Sequence, residues 1–472
     1  MIDTEALRKH TLDLATHGEL SRNVRCAENA NSLYAHIQLV REKLTESKQL
    51  KNNEVVQPLV KNEPYKLPSN WKWVCMGNIF NIVSARRVHK ADWRQEGIPF
   101  YRAREISKLA KFGEVRNDLF IDNSLYEKFA KSGVPQPGDL MVTAVGTLGQ
   151  TYVVKKKDKF YYKDASVLCL ENYGNLVPEY VKIVMDSPMM ADQINNNTFG
   201  TTVRTLTIAK LNRYFFPLPP LEEQLKIVES IKEIFNQLEV IDTFQSQYTT
   251  NISALNKKIL ELAVHGKLVP QNPSDEPASV LLEKIEEHIA KDKLPENEPF
   301  VIPSNWCWVK LGWILKIERG GSPRPIKSYL TDDKDGINWI KIGDVEKNGK
   351  YISHTKEKIL PEGAKKSREV FPGDFLLTNS MSFGRPYISK INGCVHDGWL
   401  ILRDTDHLFI YDFLYYLLSS DFVFRQFKKK ASGSTVDNLN IEKVSNAIVP
   451  VPPVEEQKRI CIKLDEILLN IK

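Results

Sequence analysis

The chain has 472 residues, 42% of them apolar and 26% charged, with 65 Lys/Arg against 59 Asp/Glu. That length holds two or three domains with separate cores, and the composition is that of an ordinary soluble globular protein. No apolar run approaches the roughly 20 residues of a membrane span, the N-terminus has no signal-peptide core, and six scattered cysteines without paired spacing point to a reducing cytoplasm and away from zinc.

Residues 3–18 open the chain as a helix carrying Leu7 and Leu14 and ending in Leu14-Ala-Thr-His-Gly-Glu-Leu. That ending recurs 248 positions later as Leu262-Ala-Val-His-Gly-Lys-Leu. Pro68-Ser-Asn-Trp-Lys-Trp follows and recurs as Pro303-Ser-Asn-Trp-Cys-Trp. The spacer from Gly18 to Trp71 is 13 residues longer than that from Gly266 to Trp306.

A basic stretch comes next. Arg86, Arg87, Lys90, Arg94, Arg102 and Arg104 are interleaved with Trp93 and Tyr101, and residues 81–160 hold 15 Lys/Arg against 9 Asp/Glu. Arg and Lys neutralise phosphates, and Arg grips guanine bidentately. The plainer reading of any one of these residues is a solvated charged face. Pro137-Gly-Asp is a turn ahead of an extended stretch from Asp139. It leads to a loop with Thr147 and Gln150, and Thr151-Tyr-Val-Val is extended again. Tyr180 to Asn195 reads as a short helix. Gly200-Thr-Thr-Val, with Thr201, Thr202 and Arg204, supplies hydroxyls and a cation for a phosphate, or a capping turn.

Pro217-Leu-Pro-Pro-Leu-Glu-Glu-Gln then opens a helix, its prolines and early acids suiting a helix start. Val228, Ile231, Phe235 and Leu238 repeat with 3-4-3 spacing, as do Ile252, Leu255, Ile259 and Leu262. This predicts two helices, broken near Asn251, packed as an antiparallel hairpin and stopped by Gly266.

The second half repeats the plan. Arg319, Ser322, Arg324 and Lys327 surround a Gly-Gly-Ser-Pro loop, Lys341 follows Trp339, and residues 311–400 hold 15 Lys/Arg against 11 Asp/Glu. Pro372-Gly-Asp precedes an extended stretch, a loop with Ser382 and Arg385, and Tyr387-Ile-Ser. Tyr411 to Lys428 reads as a helix. Gly433-Ser-Thr-Val, with Ser434 and Thr435, precedes Pro450-Val-Pro-Pro-Val-Glu-Glu-Gln. Cys461, Leu464, Leu468 and Ile471 stand where Val228, Ile231, Phe235 and Leu238 stand 233 positions earlier. A period this long is a duplicated domain, not a solenoid. The terminal helices are the two halves of a second helix pair, which predicts neighbouring termini and a pseudo-twofold circular arrangement.

No G-x-x-x-x-G-K-[ST] loop, G-x-G-x-x-G turn or His/Cys cluster of metal spacing occurs. The Pro-Pro pairs lack the preceding Asn or Asp of amino-methyltransferases. His17 and His265 repeat, but at helix ends, where capping and packing outweigh catalysis. Asp139 and Asp374 repeat as turn residues. The expectation is a chain without covalent chemistry and without catalytic residues.

The paired Pro-Pro-[LV]-Glu-Glu-Gln segments, the Gly-[ST]-Thr-Val loops and the two His-Gly helix ends are similar to those of the specificity (S) subunits of type I restriction-modification enzymes. Gly97-Ile-Pro-Phe-Tyr-Arg-Ala-Arg-Glu-Ile and Gly336-Ile-Asn-Trp-Ile-Lys-Ile-Gly-Asp-Val carry the same resemblance, which covers essentially the whole chain.

It implies an α+β fold: two mixed α/β target recognition domains separated by long antiparallel, coiled-coil helical regions. The expected layout is an N-terminal helical region at 1–65, recognition domain 1 at 66–217, a central helical region at 218–299, recognition domain 2 at 300–450 and a C-terminal helix at 451–472. Each recognition domain would read half of a bipartite site in double-stranded DNA. The helices would act as spacer and docking site for two methyltransferase (M) subunits, with restriction (R) subunits joining them. No cofactor or metal is expected on this chain; S-adenosylmethionine, ATP and Mg are expected on the partners. A coiled-coil adaptor that binds only proteins is the alternative, and an enzyme with an unrecognised site is a third reading.

Overall fold

The computed structural model describes residues 1–22, 28–50, 54–131, 133–196, 204–283, 298–346, 349–379, 383–431 and 438–471. It divides into two compact units, Met1–Ser246 and Gln247–Lys472.

Each unit is closed by the same small frame. In the first, strand Lys72–Cys75 pairs antiparallel with Phe215–Leu218, placing Trp73 opposite Pro217. In the second, Cys307–Lys310 pairs with Ile448–Val451, placing Trp308 opposite Pro450. Proline donates no ladder hydrogen bond, and a two-stranded ribbon tolerates that because both strands are edges. Next to the ribbon, the Gly-ended helix meets the Pro-Ser-Asn-Trp loop. Gly18 and Gly266 have φ of +76° and +66°, and a Cβ on either would lie 2.6 Å from Pro68 Cγ or 2.5 Å from Pro303 Cγ. Only glycine meets both demands.

The preceding histidines pack as the sequence indicates. His17 Nδ1 lies 2.8 Å from the Asp13 carbonyl and its ring stacks on Tyr65 at 3.6 Å. His265 repeats this with the Glu261 carbonyl at 2.7 Å and Phe300 at 3.7 Å. The 13 extra residues of the first spacer fall between Ala30 and Asn70. The Ala30 N–H bonds the Asn70 carbonyl at 2.9 Å, as Ala278 does Asn305, so the frame resumes in register beyond them.

The main sheet of the first unit runs Asn81–Ser84, Val167–Glu171, Leu140–Thr143, Thr151–Val153, all antiparallel. That of the second runs Lys316–Arg319, Trp399–Arg403, Phe375–Thr378, Pro386–Ser389, with Tyr351–Ile352 added parallel. The central strands are buried on both faces. Leu140 and Val142 enter the large core with Tyr180 and Phe216, while Met141 faces Ile106 and Leu109. Phe375 and Leu377 likewise face the large core, and Leu376 faces Val370 and Val395. The cover on that second face is where the copies part. Helix Ala103–Phe112 supplies Ile106 and Leu109 in the first unit. In the second, strands Ile337–Ile340, Arg368–Val370 and Gly393–Val395 of another five-stranded sheet do so. One frame thus carries two differently built inserts.

The fold is the expected α+β type, with three departures in its helices. The segment predicted as a hairpin is one continuous helix, Leu221–Val264, of 44 residues. Thr249, Thr250 and Asn251 stay helical because polar residues without proline or glycine only weaken a helix. The antiparallel partner is instead the N-terminal helix Thr4–Thr16 in the first unit, where Arg8 pairs with Asp242 at 3.0 Å and Ser21 beyond its other end bonds Glu223 at 2.7 Å. In the second unit, Ile460, Cys461 and Leu464 of helix Val454–Asn470 share a core with Ile259, Ala263 and Val264.

The helices expected at 180–195 and 411–428 are each two, Pro178–Asp186 with Pro188–Asn196 and Tyr411–Ser419 with Asp421–Ala431. At each break a serine caps the new helix. Ser187 Oγ accepts from the Met190 N–H, and Ser420 Oγ accepts from the Val423 N–H, both at 3.3 Å.

Candidate nucleic-acid interface

Asp139 and Asp374 start the strands that lead to the candidate loops, and both are turn residues. Asp139 accepts from the Gln136 N–H at 2.7 Å, and Asp374 from the Phe371 N–H at 2.9 Å. The base of the hairpin that follows is closed in the same way in both units. Thr143 Oγ1 accepts from the Gln150 N–H at 3.0 Å, and Thr378 Oγ1 from the Arg385 N–H at 2.9 Å. Thr147 is exposed on the first hairpin tip, and Gln150 and Arg385 are half-buried at the closing positions. Ser382 lies outside the described residues.

In the first unit the hairpin meets three other stretches. Ser84 Oγ accepts from the Ala165 N–H at 3.1 Å, joining the loop of Arg86 and Arg87 to the turn 163–166. The Ala144 N–H bonds the Ser166 carbonyl, and the Leu206 N–H the Ala144 carbonyl, both at 2.9 Å. Arg86, Arg87, Thr147 and Arg204 therefore present exposed side chains around one group of loops. Thr201 and Thr202 lie outside the described residues.

The remaining first-unit candidates sit on the smaller sheet and its helix. Lys90 is exposed on a short turn. Arg94 pairs with Asp122 at 2.8 Å. Arg102 and Arg104 both hold Glu105, at 3.0 and 2.7 Å, and both reach Asp118, at 2.9 and 3.0 Å. Burial works against the Glu105 charge, but the hydrogen bonds from the two arginines outweigh it and hold its pKa below the ordinary value.

The second unit repeats the convergence with different side chains. The Asn379 N–H bonds the Gly398 carbonyl at 3.0 Å and the Leu439 N–H the Asn379 carbonyl at 2.8 Å. The Gly320 and Gly321 N–H groups bond the Trp399 and Val395 carbonyls at 2.9 and 3.1 Å. Three of the candidates gather on Asp397. Ser322 Oγ donates to Asp397 Oδ1 at 2.8 Å, Arg319 Nε reaches the Asp397 carbonyl at 3.4 Å, and Arg324 lies 3.8 Å from Oδ2. The Ser322 hydrogen bond, against some burial, keeps the Asp397 pKa below its usual value. Lys327 is exposed on the turn after Arg324, and Lys341 pairs with Glu357 at 2.5 Å. Ser434 and Thr435 lie outside the described residues.

Sequence reasoning missed the turn before the last main-sheet strand: Lys163 and Asp164 in one unit, His396 and Asp397 in the other. It also missed Asn379, whose amide donates to the Asp397 carbonyl at 2.7 Å. The signal was present as the two Asp residues, each following the short strands Tyr161–Tyr162 and Gly393–Val395. Among the described residues, no group of three or more His, Cys, Asp or Glu side chains is arranged to hold a metal ion. Among them too, no helix is long and apolar enough to cross a membrane.

Comparison with known proteins accords with this duplicated plan. The family model described as "Type I restriction modification DNA specificity domain" matches residues 68–247 and again 303–472. The EcoEI type I restriction enzyme specificity subunit of Escherichia coli is 23% identical, over 98% of this chain and 88% of its own. The EcoBI specificity subunit of the same species is 23% identical, over 84% of this chain and 79% of its own. Among solved structures, the HsdS subunit from Thermoanaerobacter tengcongensis aligns with a TM-score of 0.52 at 20% identity, covering 87% of this chain and 92% of that one. A chain from a study of type I R-M complex assembly and conformational transition aligns with a TM-score of 0.62 at 20% identity, covering 86% and 92%. These likenesses bear on the fold, and the twofold match of the family model carries the assignment. The chain belongs to the type I restriction-modification DNA specificity family.

Proposed function

We propose that this chain is the non-catalytic, sequence-reading subunit of a type I restriction-modification system, and that each unit reads one half of a bipartite site in double-stranded DNA. The observation that carries the reading is the same meeting of loops in both units, at 84–87, 143–150, 163–166 and 204–206 and at 319–324, 378–379, 383–385, 395–398 and 439. A common hydrogen-bonded scaffold holds unlike side chains there: Arg86 and Arg87 in one unit, Ser322, Arg324 and Asp397 in the other. Phosphate contacts from the basic residues would orient each unit, and the side chains that differ would select bases.

The helices serve in this reading as spacer and as docking site for two methyltransferase subunits. In the first unit Val240 and Phe244 leave apolar surface on the central helix, and in the second Ile462 and Leu469 do so on the C-terminal helix. Restriction subunits would complete the assembly in the cytoplasm. S-adenosylmethionine would belong to the methyltransferase subunits, and ATP with Mg to the restriction subunits. A chain that binds only proteins has less support, because it gives no reason for two basic, differently furnished loop groups on one scaffold.

Exchange of residues 71–216 for those of another family member, followed by methylome sequencing, tests the proposal. Change in one half of the recognised site is the expected result, and change in both halves or in neither would overturn it.

A further inference from the structure

The loop group of the second unit has a carboxylate at its centre. A surface that receives a polyanion gains from Arg and Lys and loses from an unneeded negative charge. Asp397 is nevertheless held there in its charged form. Its Oδ1 takes the Ser322 hydroxyl at 2.8 Å, its own N–H donates back to Ser322 Oγ at 3.3 Å, and its carbonyl takes the Asn379 amide at 2.7 Å. These contacts fix the turn on both sides of the side chain. Arg324 lies 3.8 Å from Oδ2 and His396 Nδ1 3.8 Å from Oδ1, both beyond hydrogen-bond range, and Oδ2 makes no hydrogen bond among the described residues. Arg324 itself is 85% exposed and does not lock the carboxylate. The result is a preorganised acceptor, half-open to solvent, between the 319–324 loop and the hairpin that starts at Asn379.

The first unit has Asp164 at the matching turn. It follows strand Tyr161–Tyr162, which pairs parallel with Ile98–Tyr101, as Gly393–Val395 pairs with Ile337–Ile340. The Ser166 N–H closes the turn on the Asp164 carbonyl at 2.7 Å. The copies differ in most loop residues and both keep a carboxylate here.

We propose that Asp397 is a specificity-determining residue that reads a base in the half-site bound by the second unit. The inference rests on the DNA-reading assignment above. A carboxylate only accepts hydrogen bonds, so phosphates, guanine O6 and N7, and thymine O4 repel it. Its partner in the major groove is an exocyclic amino group, cytosine N4 or adenine N6. Asp397 then excludes guanine and thymine at one strand position. Ser322 is the positioning residue that fixes the acceptor.

The test is Asp397→Asn, close to isosteric and able to keep one acceptor toward Ser322, alongside Asp397→Ala. Each variant, assembled with its methyltransferase subunits, is assayed for binding to a panel of duplexes carrying every single-base change in both half-sites. The wild type is expected to prefer cytosine or adenine by about tenfold or more at one position. Both variants should lose most of that preference there and keep the full pattern of the other half-site. An equal loss of affinity on every duplex would overturn the proposal and leave Asp397 a structural partner of Ser322. So would an unchanged binding pattern, or a change confined to the first unit's half-site. A wild-type assembly that showed no sequence preference at all would instead strike the DNA-reading assignment itself.

Discussion

The indole N–H of Trp71 donates to Glu223 Oε2 at 2.8 Å, tying the Pro-Ser-Asn-Trp loop to the start of the central helix. Trp306 and Glu456 repeat the bond at 2.9 Å in the second unit. Beside each glutamate, the glutamine reaches back to its own proline carbonyl and across to the next helix pair. Gln224 bonds Pro219 O and the Val177 N–H, both at 3.0 Å. Gln457 bonds Pro452 O at 3.1 Å and the Ile410 N–H at 2.8 Å. The second Glu and the Gln of the twice-written Glu-Glu-Gln thus form a latch of buried polar groups, Glu223 with Gln224 and Glu456 with Gln457. In each unit they hold the Pro-Ser-Asn-Trp loop, the helix start and the following helix pair together.

Trp71→Phe removes the donor and leaves a nearly fully buried carboxylate short of one partner. Hydrogen bonds to charged groups contribute about 1.5–3 kcal/mol. We expect that loss in the unfolding of the first unit, and a similar loss in the second for Trp306→Phe. Urea denaturation of the two variants, followed by hydrogen exchange to assign the affected unit, checks the equivalence.

The arginines of the first unit divide by what they touch. Arg86 and Arg87 are exposed at the loop group, whereas Arg102 is engaged by Glu105 and Asp118. We expect Arg86→Ala and Arg87→Ala to weaken binding on all DNA sequences and to lower the log-affinity against log-salt slope by about 1 each. Arg102→Ala should leave that slope nearly unchanged. It should instead cost about 1–3 kcal/mol of stability, because Glu105 is left buried with one partner fewer. Salt titrations of DNA binding beside thermal melts separate the two classes.

His396 gives the second unit a pH dependence. Burial lowers its pKa from the ordinary 6.5; Lys341 pushes the same way, and Asp397 and Asp344 oppose it. Its ring nitrogens lie 2.7 and 3.2 Å from the Gly398 and Ile342 N–H groups. A folded pKa below the unfolded one means that the unfolded chain binds more protons between the two values. The stabilisation is therefore complete above about pH 6.5 and is lost as pH falls through the depressed value. Urea midpoints at pH 7.5 and 5.5 should fall further for the wild type than for His396→Gln, which does not titrate.

Two apolar residues of the central helix should respond oppositely to a charge. Val228 is buried in the core of the first unit, and Phe244 is 65% exposed. Val228→Asp should unfold that unit, since an unpaired charge in a core costs several kcal/mol. Phe244→Asp should leave the fold intact and reduce co-purification of methyltransferase subunits. Intact co-purification with Phe244→Asp would exclude this patch from the docking surface.

The chain by itself determined the duplication, and with it the glycine-stopped helix ends and the Pro-Gly-Asp turns. These rest on local chemistry, on proline, on positive φ and on capping side chains, which is legible wherever the residue types recur. It also placed the hairpin loops of Thr147 and Arg385 in equivalent positions. It misjudged residues 249–251, because a polar stretch without proline or glycine weakens a helix without ending it. The partners of the helix on either side of that stretch came from helices some 240 and 200 residues away in the chain.

Only the tertiary structure decided which charges serve which end. Arg102 and Arg86 look alike in a basic run, yet one neutralises a buried glutamate and the other faces solvent. Asp397 repeats Asp164 233 positions on, but nothing in the sequence shows what either touches. Its place beside Ser322 and Asn379 exists because strand order brings three remote loops together, and such a meeting depends on pairing between distant strands that no local pattern encodes.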